Sequence, residues 1–138
     1  MYKFIVPQRK TSTTYKPGMI PVYHSSEGDV GSAHWITASE IIVINRVNKF
    51  KINIPEGFLY DLASVPWTFS RILPKAHPRM FKAALVHDYL YWTRTGTKEE
   101  ADNIFYEIMI QEGMVGWKAK AAYKAVDLFG RSAWEDDD

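Results

Sequence analysis

The chain has 138 residues, of which 46% are hydrophobic and 14% aromatic, so it is too apolar for a disordered protein and long enough for one proper core. The chain has 17 Lys and Arg residues and 16 Asp and Glu residues, so it lacks the strong basic excess that nucleic-acid-binding proteins usually show. The sequence has no cysteine, which excludes disulfides, thiolate metal sites and a cysteine nucleophile. It has no apolar run of about 18 residues, so no transmembrane helix is predicted. Its N-terminal residues lack the basic and then apolar segments of a signal peptide.

The first half of the chain predicts β-strands. Tyr2–Val6 is a short β-prone run, and Met19–Tyr23 is a second candidate strand that Pro21 confines to a sheet edge. His34–Asn45 is rich in β-branched residues and is predicted as one strand. Lys49–Ile54 alternates polar and apolar residues, which is typical of a half-exposed strand. We expect a small, mostly antiparallel sheet that is covered on one face.

A segment without clean periodicity follows the turn Pro55–Gly57. Phe58–Pro66 carries Asp61 and Ser64 among apolar residues. Both are candidate site residues, although a serine before Val65-Pro66 could equally cap a turn. Residues 67–78 form a proline-containing connector to the helical half.

The second half predicts three α-helices, over Pro78–Trp92, from the capping box Thr97–Glu100 to about Glu112, and over Trp117–Phe129. The short loop Thr93–Gly96 makes the first two an antiparallel pair. On the third helix four side chains are predicted to face inward: Ala121, Ala125, Leu128 and Phe129.

These elements predict an α+β fold, with a small, mostly antiparallel N-terminal sheet followed by three helices. We interpret residues 1–138 as a single domain, with a β-rich part at 1–66 and a helical part at 77–131. Residues 132–138 form an acidic tail that we expect to be a solvated end.

Two adjacent ionisable residues, His87 and Asp88, interrupt the apolar run Ala83–Tyr91. Burying a charge is costly unless the charge is paired or bound to a metal. The presence of two ionisable residues in an apolar helix therefore marks a candidate functional site. A helical projection places His87 at the centre of the buried face. His87 and Asp102 lie at nearly equal sequence separation from the centre of the hairpin loop. Since each residue adds about 1.5 Å along a helix, the two side chains are predicted to lie at the same height along the hairpin and to approach each other.

The pattern leaves three chemical interpretations open. His87 could be a general base that activates water, oriented by Asp102, with Asp88 holding a cation. Alternatively His87, Asp88 and Asp102 could be ligands of one divalent cation, calcium or zinc. Asp61 is a further candidate ligand, and Tyr91 could donate a hydrogen bond in either arrangement. In the third interpretation, these side chains form a satisfied polar network that only fixes how two helices pack.

Over about residues 45–134 the chain carries the patterns Gly57-x-x-x-Asp61-x-x-Ser64-x-Pro66, Ala84-x-x-His87-Asp88-Tyr89-x-Tyr91, Ala101-Asp102-x-x-Phe105, Gly113, and Tyr123, Val126, Phe129-Gly130 and Trp134. In these residues it resembles a phage- and prophage-associated family, known only as domain of unknown function number one-three-five-three. This resemblance implies a phage origin and no established activity.

A second resemblance is local, covering about 25 residues, and points to secreted phospholipases of the A-two type. In that family a histidine activates water, the adjacent aspartate binds calcium and a distant aspartate orients the histidine. Here those roles would fall on His87, Asp88 and Asp102. This chain lacks the cysteines and the glycine-rich calcium loop of that family, for which only Gly57–Asp61 could substitute.

Two functions fit these observations. The first is a small phage-encoded hydrolase with a His87/Asp102 pair, acting on a component of the host envelope. The second is a non-catalytic virion or tail protein that binds another phage or host protein through exposed aromatic residues. Nucleic acid is not an expected partner. We expect synthesis in the host cytoplasm and leave association with the virion open. The candidate interface residues are Trp67, Trp92, Trp117 and Trp134.

Overall fold

A computed structural model describes residues 1–7, 22–25, 34–61 and 78–135. These residues divide into two compact units, Met1–Leu59 and Tyr60–Asp138, and each is considered by itself. The predicted site residue Ser64, the aromatic Trp67 and the beginning of the strand predicted at 19–23 lie outside the described residues. The interpretation of the chain as a single domain stays a prediction.

The first unit contains an antiparallel sheet in the order β1-β4-β5. A second group of strands has the order β2-β3-β6. The fold is therefore α+β with an antiparallel N-terminal sheet, as the sequence predicts. The strand bounds are β1 Lys3–Ile5, β2 Val22–Ser25, β3 His34–Thr37, β4 Ile41–Asn45, β5 Phe50–Ile54 and β6 Leu59–Asp61.

The prediction of one continuous strand over His34–Asn45 is wrong, because the chain bends after Thr37 and divides it into β3 and β4. Thr37 explains the break. Its buried hydroxyl donates to the carbonyl of Pro55 at 2.7 Å and accepts from the backbone N–H of Phe58 at 2.9 Å. Its backbone N–H also donates to the carbonyl of Phe58 at 3.1 Å, which ties this corner to the segment before β6.

The core of the first sheet follows from its strand register. Phe4 pairs with Val43, and Val43 with Ile52, so one row of apolar side chains crosses all three strands on the buried face. Lys51 and Asn53 point away and are exposed. The alternation of polar and apolar residues that the sequence predicts over Lys49–Ile54 is therefore confirmed in β5.

The second unit is helical, and a single 3₁₀ turn at Pro78–Met80 leads into it. α1 and α2 pack side by side as a hairpin, and α2 packs in turn on α3. Among the described residues, no helix is both long enough and apolar enough to cross a membrane. The helices are α1 Phe81–Thr93, α2 Lys98–Gln111, α3 Gly116–Phe129 and the short α4 Arg131–Glu135.

The helix ends show how local sequence positions α1 and α2. Arg94 adopts a left-handed conformation with φ of 52° and ends α1. Thr97 is the N-cap of α2, where its hydroxyl accepts from the N–H of Glu100 at 3.1 Å. α1 is buried on almost every side, which explains its nearly continuous apolar sequence. Its buried residues are Ala83, Ala84, Leu85, Val86, His87, Leu90 and Tyr91.

Two predictions for the C-terminal region are wrong. Leu128 is 68% exposed and Ala121 only half-buried, because the buried face of α3 is centred on small residues that allow a close approach between helices. The tail is not a solvated end as far as residue 135, since Arg131–Glu135 forms α4 and the Trp134 ring packs against Tyr91. The side chain of Phe129 is not described. The buried residues of α3 are Ala119, Ala122, Ala125 and Val126.

Candidate functional site

The site is built around Asp102, a carboxylate of α2 that is only 1% exposed. Its Oδ1 accepts a hydrogen bond from His87 Nε2 at 2.8 Å and another from the Tyr91 hydroxyl at 2.7 Å. Its Oδ2 accepts from Lys98 Nζ at 2.7 Å. The structure thus brings together the histidine and the aspartate that the hairpin spacing places level with each other.

His87 is held in one orientation by its neighbours. Its ring lies between those of Tyr91 and Phe105, with centroid distances of 4.2 and 4.7 Å, and only 4% of the residue is exposed. An ionised carboxylate can only accept, so Nε2 of His87 carries the proton that is donated to Asp102. In the neutral imidazole, Nδ1 is then the unprotonated nitrogen.

The Nδ1 atom of His87 faces the partly exposed flank of α1. It lies 4.0 Å from Oδ1 of Asp88, beyond hydrogen-bonding distance, and makes no hydrogen bond within the described parts of the chain. The Asp88 side chain is 20% exposed. A single water about 2.8 Å from each atom spans such a separation. The arrangement therefore has an oriented nitrogen close to a carboxylate that also takes part in another interaction.

The electrostatics of the cluster favour an ionised Asp102. Burial by itself raises the pKa of the Asp102 carboxyl, but hydrogen bonds from His87, Lys98 and Tyr91 outweigh burial and lower it. Burial lowers the pKa of His87, but the hydrogen bond to Asp102 and the proximity of Asp88 raise it above its ordinary value of 6.5. Burial and the bond to Asp102 both raise the pKa of Tyr91, which stays a neutral donor.

Lys98 is a member of the cluster that the sequence interpretation missed. Lys98 is only 6% exposed. In addition to its bond to Asp102, its ammonium donates to the backbone carbonyls of Val126 at 3.1 Å and Asp127 at 3.2 Å. Two signals were available. Lys98 precedes Asp102 by four residues, and a cation in the first turn of a helix opposes the helix dipole.

The C-terminal segment packs against the hydroxyl end of Tyr91. A Cβ at Gly130 would lie 2.6 Å from that hydroxyl, so only glycine fits there. Trp134 meets the Tyr91 ring edge-on at 5.1 Å, and Arg94 Nε donates to the Trp134 carbonyl at 3.1 Å. Tyr91 is therefore fixed from both sides, by Asp102 and by this segment.

The divalent cation stays a prediction, because two of the candidate site residues lie outside the side chains that the structure describes. No group of three or more His, Asp or Glu side chains able to hold a metal occurs within the described ranges. Asp88 lies beside His87, the side chain of Asp61 in β6 is not described, and Ser64 is outside the described residues.

The four tryptophans predicted as an interface do not share one environment. Trp92 is 68% exposed and Trp117 60% exposed, whereas Trp134 is half-buried against Tyr91. Trp67 is outside the described residues.

Comparison with known proteins assigns the family. A family model for a protein of unknown function (DUF1353) matches residues 35–126, about two thirds of the chain. The chain belongs to the DUF1353 family. It is also 38% identical over 84 residues to the uncharacterized protein y4jT of Sinorhizobium fredii. That match covers 60% of this chain but only 25% of the relative, so this chain spans a small part of that protein's length. No solved structure matches.

The DUF1353 match contains His87, Asp88, Lys98 and Asp102, and it ends before Gly130 and α4. The helix hairpin that positions the cluster thus lies inside the family region. The segment that supports Tyr91 lies beyond it.

Replacing Tyr91 by Phe tests the hydrogen bond to Asp102. We expect Tyr91→Phe to lower the free energy of unfolding by about 1.5–3 kcal/mol, since the lost bond is to a buried charge. Urea denaturation measures the change. The matched control is Tyr106→Phe, whose ring packs with Tyr123 and whose hydroxyl makes no hydrogen bond to the described residues. An equal loss in both variants would contradict the assignment.

The stability of the DUF1353 protein should depend on pH through His87 and Asp102. The raised pKa of His87 contributes stability that is fully present below about pH 6.5 and is lost as the pH rises through the folded pKa. The lowered pKa of Asp102 contributes stability that is present above its ordinary 3.8 and is lost as the pH falls through the folded pKa. The stability difference between wild type and His87→Gln should therefore shrink above pH 6.5. Urea titrations over a pH series measure it, and a difference that grows with pH would contradict the raised pKa.

Proposed function

We propose that this DUF1353 protein is a hydrolase in which His87 acts as a general base on water. The observation that carries the proposal is the asymmetry of the imidazole. Nε2 is tied to the buried Asp102 at 2.8 Å, while Nδ1 faces the partly exposed Asp88 at 4.0 Å. The short distance between Asp88 and this second nitrogen supports the proposal, since the carboxylate lies where it can influence a water bound to Nδ1.

The proposed reaction uses this asymmetry in two proton transfers. The oxygen of the water attacks the electrophilic atom of an ester, amide or phosphoester, and its proton moves to Nδ1 of His87. The resulting imidazolium is stabilised by the carboxylate of Asp102 through Nε2. The same proton then passes from Nδ1 to the leaving group as its bond to the electrophilic atom breaks. The histidine ends the cycle neutral.

The other side chains of the cluster hold the carboxylate rather than the substrate. Tyr91 and Lys98 fix Oδ1 and Oδ2 of Asp102, so the aspartate cannot turn away when His87 gains a proton. Asp88 is the group beside the attacking water, where it can orient that molecule. The phage origin and a substrate in the host envelope rest on the sequence resemblance and belong to the same proposal.

A substrate panel tests the proposal. Purified protein is incubated with carboxylic ester, phosphodiester, peptidoglycan and phospholipid substrates, with His87→Gln as the inactive comparison. Hydrolysis that is lost in this variant supports the proposal, and activity equal to wild type overturns it. Parallel reactions with calcium, zinc or a chelator test the predicted cation separately.

The second candidate function is a non-catalytic virion or tail component, and the exposure of Trp92 and Trp117 favours it. Large exposed aromatic side chains are typical of interfaces between proteins. This alternative expects the protein in purified virions of the encoding phage and expects no hydrolysis in the panel. Mass spectrometry of such virions measures its presence.

A further inference from the structure

We infer that Lys98 is a positioning residue for the His87–Asp102 pair, which extends the proposed site to a third helix. The inference rests on the proposed function for its catalytic meaning. Its structural content is independent of that function, because it concerns which atoms hold the carboxylate in the resting protein.

The contacts of Lys98 account for all three N–H bonds of its ammonium. One is to Oδ2 of Asp102 at 2.7 Å, and two are to the carbonyls of Val126 and Asp127 at 3.1 and 3.2 Å. The ammonium therefore joins the carboxylate to the last turn of α3. A lysine side chain can bind carbonyls in the last turn of a helix, and here its ammonium adds to the N–H of Gly130, which donates to the same Val126 carbonyl at 2.8 Å.

The distribution of contacts over the carboxylate explains why this link matters. His87 and Tyr91 both use Oδ1 of Asp102, and only Lys98 among the described residues holds Oδ2. Without an anchor on Oδ2, the carboxylate could rotate about its last side-chain bond and trade one oxygen for the other. With the anchor, Oδ1 stays directed at Nε2 of His87.

The charge balance points the same way. Asp102 is 1% exposed, and an isolated buried carboxylate tends to take up a proton. Lys98 is the cation that compensates it at 2.7 Å, whereas Asp127 lies 4.0 Å from the same ammonium and is 55% exposed. Lys98 thus keeps Asp102 ionised, as an acceptor for His87 must be.

A proton resonance of His87 distinguishes this role from simple capping of α3. The Nε2 proton, donated to a carboxylate, should give a far-downfield ¹H signal that is assigned by its loss in His87→Gln. In Lys98→Met we expect this signal to shift by more than its linewidth or to disappear. Without the ammonium on Oδ2, the negative charge of Asp102 redistributes toward Oδ1, or the carboxylate rotates away from Nε2 of His87. Lys82→Met is the control, since Lys82 pairs with Glu112 at 3.3 Å on the outer side of α1 and should leave the signal in place.

An unchanged signal in folded Lys98→Met would overturn the inference and reduce Lys98 to a cap of α3. If that variant does not fold, Lys98→Gln in sucrose, which strengthens burial, replaces it with the same expectation. Because the spectrum is recorded without substrate, a negative hydrolase panel leaves this result unaffected. Conversely, hydrolysis that depends on His87 together with an unchanged signal would overturn the role of Lys98 alone.

Discussion

Asp102→Asn is expected to lower the free energy of unfolding by about 3–5 kcal/mol, the usual cost of breaking a buried ion pair by removing one partner. The substitution keeps the shape of the side chain but removes its charge. The ammonium of Lys98 then stays buried without a compensating anion, and the donors of His87 and Tyr91 lose a charged acceptor. Urea denaturation at pH 7 measures the change.

The chain offers a matched control in Asp127→Asn. This aspartate lies 4.0 Å from the same ammonium, but 55% of its side chain is exposed. Exposed ion pairs contribute about 0–1 kcal/mol, so this change should be small. If Asp102→Asn and Asp127→Asn lowered the free energy of unfolding by the same amount, the buried ion pair of Asp102 would contribute no more to stability than an exposed one.

His87→Gln is expected to reduce hydrolysis by about 10²–10⁴-fold, the range for loss of a general base. The glutamine amide can still donate to Asp102, so the fold should lose at most about 1–3 kcal/mol. The rate of the wild type should rise with pH as His87 loses its proton, with a midpoint above 6.5 because its pKa is raised. Rates on whichever substrate of the panel is cleaved measure both effects.

The corresponding control is His24→Gln, the same substitution on β2. It should leave the rate and its pH dependence unchanged. Activity that survives in His87→Gln, or a rate that falls as the pH rises through this range, would mean that His87 is not the base.

The closeness of His87 and Asp102 could be predicted from sequence because a short loop and two regular helices leave little freedom. Spacing along α1 and α2 therefore converts directly into height along the hairpin. Lys98 could not be predicted in the same way. Two of its three partners are backbone carbonyls, of Val126 and Asp127, which carry no residue-specific signal and lie about 28 positions away in sequence.

Two of the three errors in the fold have a similar origin. The division of His34–Asn45 depends on hydrogen bonds from Thr37 to Pro55 and Phe58, which a strand pattern does not contain. The buried face of α3 is set by alanines that allow close helix packing, whereas the sequence prediction gave weight to Leu128 as a large apolar residue. In each case a contact distant in sequence overrides a correct local preference.

The most direct test of the central claim is the protonation pattern of the His87 ring in the wild-type protein. Long-range ¹⁵N–¹H correlation spectra distinguish the two nitrogens of each of the four histidines, and comparison with His87→Gln assigns the relevant signals. Above the pKa of His87, the structure predicts a proton on Nε2 and a bare Nδ1, available as a base. A neutral ring with its proton on Nδ1 would contradict the bond to Asp102 and the proposed mechanism together.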